Sequence, residues 1–154
     1  MAGEKIINKI KTLKDYGLAI NLYKENEKET IYILNRENYR IKIIIEPKRW
    51  LGLEFSLLDK TGKEMLTYEI DTDLYNISEG RYTLFSEEIE SEIVEFLDIL
   101  SQHKIKVGKI RGKPAVIIPK RDKFLLIKKG WFFTSTKLYP NVKAAIGGGE
   151  FKDL

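Results

Sequence analysis

Residues 39–58 read YRIKIIIEPKRWLGLEFSLL, and the reading of this stretch decides the fold. Tyr39, Ile41, Ile43 and Ile45 recur at every second position, the period of a strand with one buried face. Pro47 cannot donate to a sheet ladder and ends that strand. The same period resumes at Leu51, Leu53, Phe55 and Leu57, so two strands meet across a short break. Working outward, Asp59-Lys60-Thr61-Gly62 has the residues of a tight hairpin turn, with Gly62 in the left-handed position, and Glu64–Ile70 returns as the next strand. On the other side, Thr30–Leu34 and the alternation of Leu18, Ile20 and Leu22 add two more, separated by the polar turns 25–29 and 35–38. A further short strand is expected at Arg81–Phe85. Every connection between 18 and 85 is too short for a crossover helix, which predicts an antiparallel meander.

Two segments carry the helical period instead. Ile6, Ile10 and Leu13 form one stripe on a short N-terminal helix, with Gly17 placed to cap it. Ile89, Ile93, Phe96, Leu97 and Leu100 give the stripe of a longer helix over 86–102. Ser86 is its expected N-cap, Glu87, Glu88 and Glu90 fill its first turn, and His103 and Lys104 close its cation-favouring end. After it the chain returns to strand-like segments at Ile105–Val107, Ala115–Ile118 and Phe124–Ile127, with turns at 111–114 and 120–123, and Gly130 precedes Trp131–Phe133. Gly147-Gly148-Gly149 lies in what reads as a flexible tail, 144–154. The expected fold is therefore α+β: one domain, residues 1–143, with an antiparallel sheet of about five or six strands packed by the 86–102 helix, and a basic β-hairpin extension.

The charge is sorted along the chain. Residues 104–143 hold twelve Lys or Arg and one acid, Asp122, for a net +11, whereas residues 59–103 sum to −9. The basic segment also holds Phe124, Trp131, Phe132, Phe133 and Tyr139. Cations suit phosphates and flat rings suit bases, so an anionic polymer is the natural partner. The candidate contact residues are Lys104, Lys106, Lys109, Arg111, Lys113, Lys120, Arg121, Lys123, Lys128, Lys129 and Trp131. Arg49-Trp50, at the strand break after Pro47, is a second basic and aromatic spot. The competing reading places the rings in the core and the lysines on solvated edges, or sets the basic segment against the acidic helix face at Glu88, Glu92 and Glu95. Because the apolar stripe of that helix must face the sheet, the acidic and basic halves are expected to lie apart, with the turn 120–123 projecting from a sheet edge.

Other chemistry finds little footing. The chain has no cysteine and one histidine, His103, which removes disulfides, thiolate nucleophiles and multi-histidine or cysteine-ligated metal sites. Glu69, Asp71 and Asp73 alternate and would share one face of an extended chain, where three carboxylates could hold Mg²⁺ or Mn²⁺ for phosphodiester chemistry, but a solvated strand end explains them without a metal. Glu46-Pro47-Lys48 has proline inside a nuclease-like spacing, and Gly147–Gly149 lacks the Lys-Ser/Thr of a phosphate loop. No cofactor or metal is expected, and no nucleophile–base pair is visible. The segment at the N-terminus has no apolar core of signal length, and apolar runs such as Ile43–Ile45 are far short of a span, so a cytoplasmic protein without a membrane partner is expected.

Trp50 at a strand start, the turn Asp59–Gly62, and Gly80-Arg81-Tyr82-Thr83-Leu84 leading into the 86–102 helix resemble the Whirly-type single-stranded-DNA-binding proteins over residues 39–102. The resemblance implies antiparallel strands followed by a helix, and a homodimer. It assigns no binding residue. The function expected from the sequence is a non-catalytic nucleic-acid-binding protein favouring single-stranded or irregular DNA or RNA. The alternative is a protein-binding module (an immunity protein, an anti-defence inhibitor or an assembly subunit) whose polarised charge finds one partner.

Overall fold

The structure is a computed structural model and describes residues 1–73 and 76–154. It is α+β, with two antiparallel five-stranded sheets. The first is a meander of β1 (Asn21–Glu25), β2 (Thr30–Asn35), β3 (Tyr39–Glu46), β4 (Trp50–Leu58) and β5 (Glu64–Asp71), in chain order. Alternation is cleanest in β3, where Tyr39, Ile41, Ile43 and Ile45 are buried and the residues between them half-buried. Its register with β4 sets Ile43 opposite Leu53 and Ile41 opposite Phe55, so both apolar rows line one face. The turn into β5 forms as expected: Gly62 has φ 84°, and the Asp59 carboxylate accepts from the Thr61 and Lys63 amides at 2.8 and 3.0 Å. In β1 all five residues are exposed, so the alternation from Leu18 continues into the core only as far as Ile20.

Helix α1 (Glu4–Leu13) and helix α2 (Thr83–Ser101) cover the apolar face. Gly17 ends the N-terminal segment in the left-handed conformation, φ 79°, as its position predicts. The start of α2 differs from expectation. Residues 80–82 form a 3-10 turn and Thr83–Phe85 are already helical, so no strand exists at 81–85 and Ser86 is not the cap. Ser86 lies buried inside the helix, its hydroxyl donating back to the Thr83 carbonyl at 3.0 Å. Glu90 is likewise buried, because Ser86, Glu90, Ile93, Leu97 and Leu100 share the inward stripe. Its carboxylate accepts from the backbone amides of Lys5 and Ile6 at 2.9 and 3.4 Å. That contact satisfies amides in the first turn of α1 that have no partner within the helix. Lys9 adds an ion pair to Asp98 at 2.6 Å, tying the two helices together.

The basic segment is more than a hairpin extension. Strands β6 (Lys106–Ile110), β7 (Lys113–Lys120), β8 (Lys123–Lys129) and β9 (Thr134–Tyr139) form a second meander. The chain then passes through helix α3 (Val142–Ile146) to β10 (Glu150–Asp153), which pairs with β6 on the far edge. Residues 144–154, expected as a flexible tail, instead complete α3 and supply the edge strand β10. Phe151 sits opposite Gly108, where a Cβ would come within 1.8 Å of the Glu150 carbonyl, so the two backbones can approach only because position 108 has no side chain. The sheet is covered on both faces. Val116, Ile118, Leu125 and Ile127 join the core under α2, whereas Ala115, Ile117 and Leu126 pack with Ala145 of α3.

Candidate functional site

Strand order sorts the basic residues between the two ends of the second sheet. The β6–β7 turn at 111–112 and the β8–β9 turn at 130–133 project from one end, and the β7–β8 turn at 121–122 from the other. Arg111, Lys113, Lys128, Lys129 and Trp131 are therefore brought together, with Lys109 two residues further down its strand. Lys104, Lys106, Lys120, Arg121 and Lys123 lie toward the opposite end. Arg49 and Trp50 belong to the first sheet.

At the first end, the β8–β9 hairpin closes tightly. Lys129 pairs with Thr134, and the Gly130 amide donates to the Phe133 carbonyl at 2.7 Å. A Cβ on residue 130 would meet that carbonyl oxygen at 2.7 Å, so the closure depends on glycine. Trp131, Phe132 and Phe133 occupy this turn, and their exposures are 87%, 88% and 79%. The Phe132 and Phe133 rings meet edge to face, centroids 6.5 Å apart at 61°. The Lys113 ammonium stands 4.1 Å over the Trp131 ring, a cation–π contact that fixes one indole face and leaves the other open. Lys128 and Lys129 are consecutive on a strand, so they leave the hairpin neck on opposite faces. Arg111 and Gly112 have φ 52° and 77°, the left-handed pair of a tight two-residue turn, and Arg111 is exposed at its corner. Among the described residues none of these four cations is ion-paired.

The opposite end is electrically mixed. Lys120 reaches Glu92 of α2 at 3.9 Å, and the Arg121 amide donates to the Glu95 carboxylate at 3.2 Å. The turn 120–123 therefore lies against the helix rather than projecting clear of it. Lys106 pairs with Asp153 at 2.8 Å. Among the described residues, Lys120 is the one cation of the basic segment ion-paired with the acidic helix, so the two segments share an apolar core but their charges meet only at this turn. Arg49 lies 3.8 Å from Glu46, and Trp50 is half-buried with its ring laid over Gly52, where a Cβ would come within 2.4 Å of it.

The other candidate features gather no site. Asp71 accepts from the Asp73 amide at 2.9 Å, and burial, reinforced by the neighbouring Asp73, holds its carboxyl above the ordinary range. A shallow cleft of about 340 Å³ adjoins these acids, lined also by Glu69, Ile89 and Glu92. Among the described residues no three His, Asp or Glu side chains are grouped so as to hold a metal ion. Burial, with the Glu92 carboxylate adding to it, pushes the Tyr68 phenol up to about 12. The partly open space beside Tyr68, Phe96, Ile118 and Leu125 is only about 20 Å³, far below the several hundred Å³ of a small-molecule site. Among the described residues no helix is long and apolar enough to cross a membrane.

Comparison with protein-family models, curated proteins and solved structures finds no match to this chain. Two residues that single-position reasoning passes over belong to the exposed end: Phe132 and Phe133, whose adjacency to Trp131 was legible but whose joint exposure depends on the turn at Gly130. Glu90, expected as a first-turn acid, lies instead on the buried stripe, because the helix begins at Thr83.

Proposed function

We propose that this protein binds nucleic acid, unpaired strands in preference, through the end of the second sheet that carries Arg111, Lys113, Lys128, Lys129 and the Trp131–Phe133 turn. The observation that carries the reading is three adjacent rings, almost fully exposed, with cations around them that have no acidic partner. Large aromatic side chains bury about 150–250 Å² each, so the tip offers on the order of 400–600 Å² of apolar surface. That is the size of the largest apolar patch on an ordinary monomer, and such a patch is often a functional one. Rings accept the faces of unpaired bases while cations hold the backbone, which is how sequence-tolerant single-strand binding works. The resemblance of residues 39–102 to Whirly-type proteins implies the same ligand class.

The open edge of β9 favours a second reading, a protein-binding module: Thr134–Leu138 are exposed along it and offer a strand to a partner. Anisotropy titrations of a labelled single-stranded oligonucleotide at a series of salt concentrations separate the two. Four phosphate contacts on a single strand give a slope of log affinity against log salt of about −3. No binding at about 50 mM salt, or partition onto anionic lipid vesicles without oligonucleotide binding, would overturn the nucleic-acid reading.

A further inference from the structure

We infer that the Trp131–Phe133 tip is a wedge that enters between bases where a duplex opens into single strands, an inference that rests on the nucleic-acid reading above. A stacking platform lies on the face of a sheet, where successive bases spread along the strands. These rings stand instead at the apex of a hairpin, beyond its last residue pair, Lys129 with Thr134, so they lead whatever the sheet end approaches. Their mutual geometry also departs from a platform. Phe132 and Phe133 are inclined at 61° with centroids 6.5 Å apart, whereas consecutive bases on a strand repeat about every 3.4 Å in parallel planes. One ring can stack on a base while the other props it from the edge. Trp131 offers a single open face, because Lys113 occupies the other at 4.1 Å.

The cations sit where a wedge needs them. Lys128 and Lys129 leave opposite faces of the hairpin neck, two residues and one residue before Gly130, and Arg111 stands on the adjoining turn. Two strands parted by the tip would pass their phosphates along these side chains. Apolar side chains driven between base steps, with cations holding the flanking backbone, are a known means of unstacking a duplex. The hairpin is also anchored against the reaction force: Leu125, Leu126 and Ile127 of β8 are buried, and β8 is hydrogen-bonded to a neighbour on each side.

The test uses the full chain and a forked DNA carrying 2-aminopurine at the junction, with a blunt duplex and a single strand as controls. Binding to the fork is expected to raise the 2-aminopurine emission as the base unstacks. Phe132→Ala combined with Phe133→Ala should abolish that rise while the salt slope, set by the cations, and the melting temperature stay unchanged. Fork binding with no rise in emission, or a rise that the double variant retains, would overturn the wedge and leave the nucleic-acid reading standing. Failure to bind any of the three DNAs overturns both.

Discussion

Cations at the two ends of the second sheet should contribute unequally to binding, and the inequality can be measured. One triple variant combines Arg111→Asn, Lys128→Ala and Lys129→Ala. Asn is chosen because residue 111 has φ 52° and Asn tolerates that conformation better than Ala. The other combines Lys120→Ala, Arg121→Asn and Lys123→Ala, with Asn again placed at a positive φ, 57°. Each removes three positive charges, so net charge changes identically. Each single-strand phosphate contact contributes about −0.7 to the salt slope, so losing three at the aromatic end should flatten it by about 2 and weaken binding about 100-fold at 0.1 M salt. The second triple should leave the slope near that of the parent, because it lies on the turn where Lys120 is ion-paired with Glu92 and the Arg121 amide is held by Glu95, away from the exposed rings. Fluorescence anisotropy with one oligonucleotide across a salt series reads both. Equal losses in the two variants, or a larger loss in the second, would refute the assignment of the site to the aromatic end.

Glu90→Ala should lower stability by about 2–4 kcal/mol, since it strips a capping carboxylate and strands amides in the first turn of α1. In a chain of this size that is a fall in melting temperature of about 4–16 °C; Glu90→Gln, which keeps an acceptor, should lose less, and a change under about 0.5 kcal/mol in the Ala variant would show the contact to be idle. Tyr68 gives a pH prediction. Its folded pKa, about 12, lies above the ordinary 10, so the stability it contributes is whole below pH 10 and is lost as pH rises from 10 towards 12. Tyr68→Phe should blunt the alkaline fall in melting temperature; parallel falls in parent and variant would contradict the assignment.

Much of the first sheet was legible because one-sided burial writes a period of two into the chain, as in β3 and β4, and because turns such as Asp59–Gly62 have their own chemistry. What escaped was decided by competition between local signals and tertiary partners. Ser86 looks like a cap, yet the helix begins three residues earlier and its hydroxyl turns back to the Thr83 carbonyl. Thr83-Leu84-Phe85 has strand-forming residues, and Leu84 is exposed at 81% on the helix it joins. Three glycines at 147–149 suggest a free tail, but the pairing of Phe151 with Gly108 recruits the segment as an edge strand. That pairing is non-local and leaves no periodic trace. For the site, the cations and rings could be read from composition, whereas their sorting between two sheet ends depends on strand order. Trp50, equally aromatic and basic in its surroundings, lies over Gly52 in the other sheet.

The most direct measurement follows Trp131 itself. The chain has two tryptophans, so Trp50→Phe leaves Trp131 as the sole indole, with solvent-exposed emission expected from its 87% exposure. Titrating that variant with a single-stranded oligonucleotide at about 50 mM salt should quench the emission in step with the anisotropy of the labelled strand, and added salt should reverse both together. Binding by anisotropy with the Trp131 emission unmoved would place the ligand elsewhere on the molecule and contradict the account.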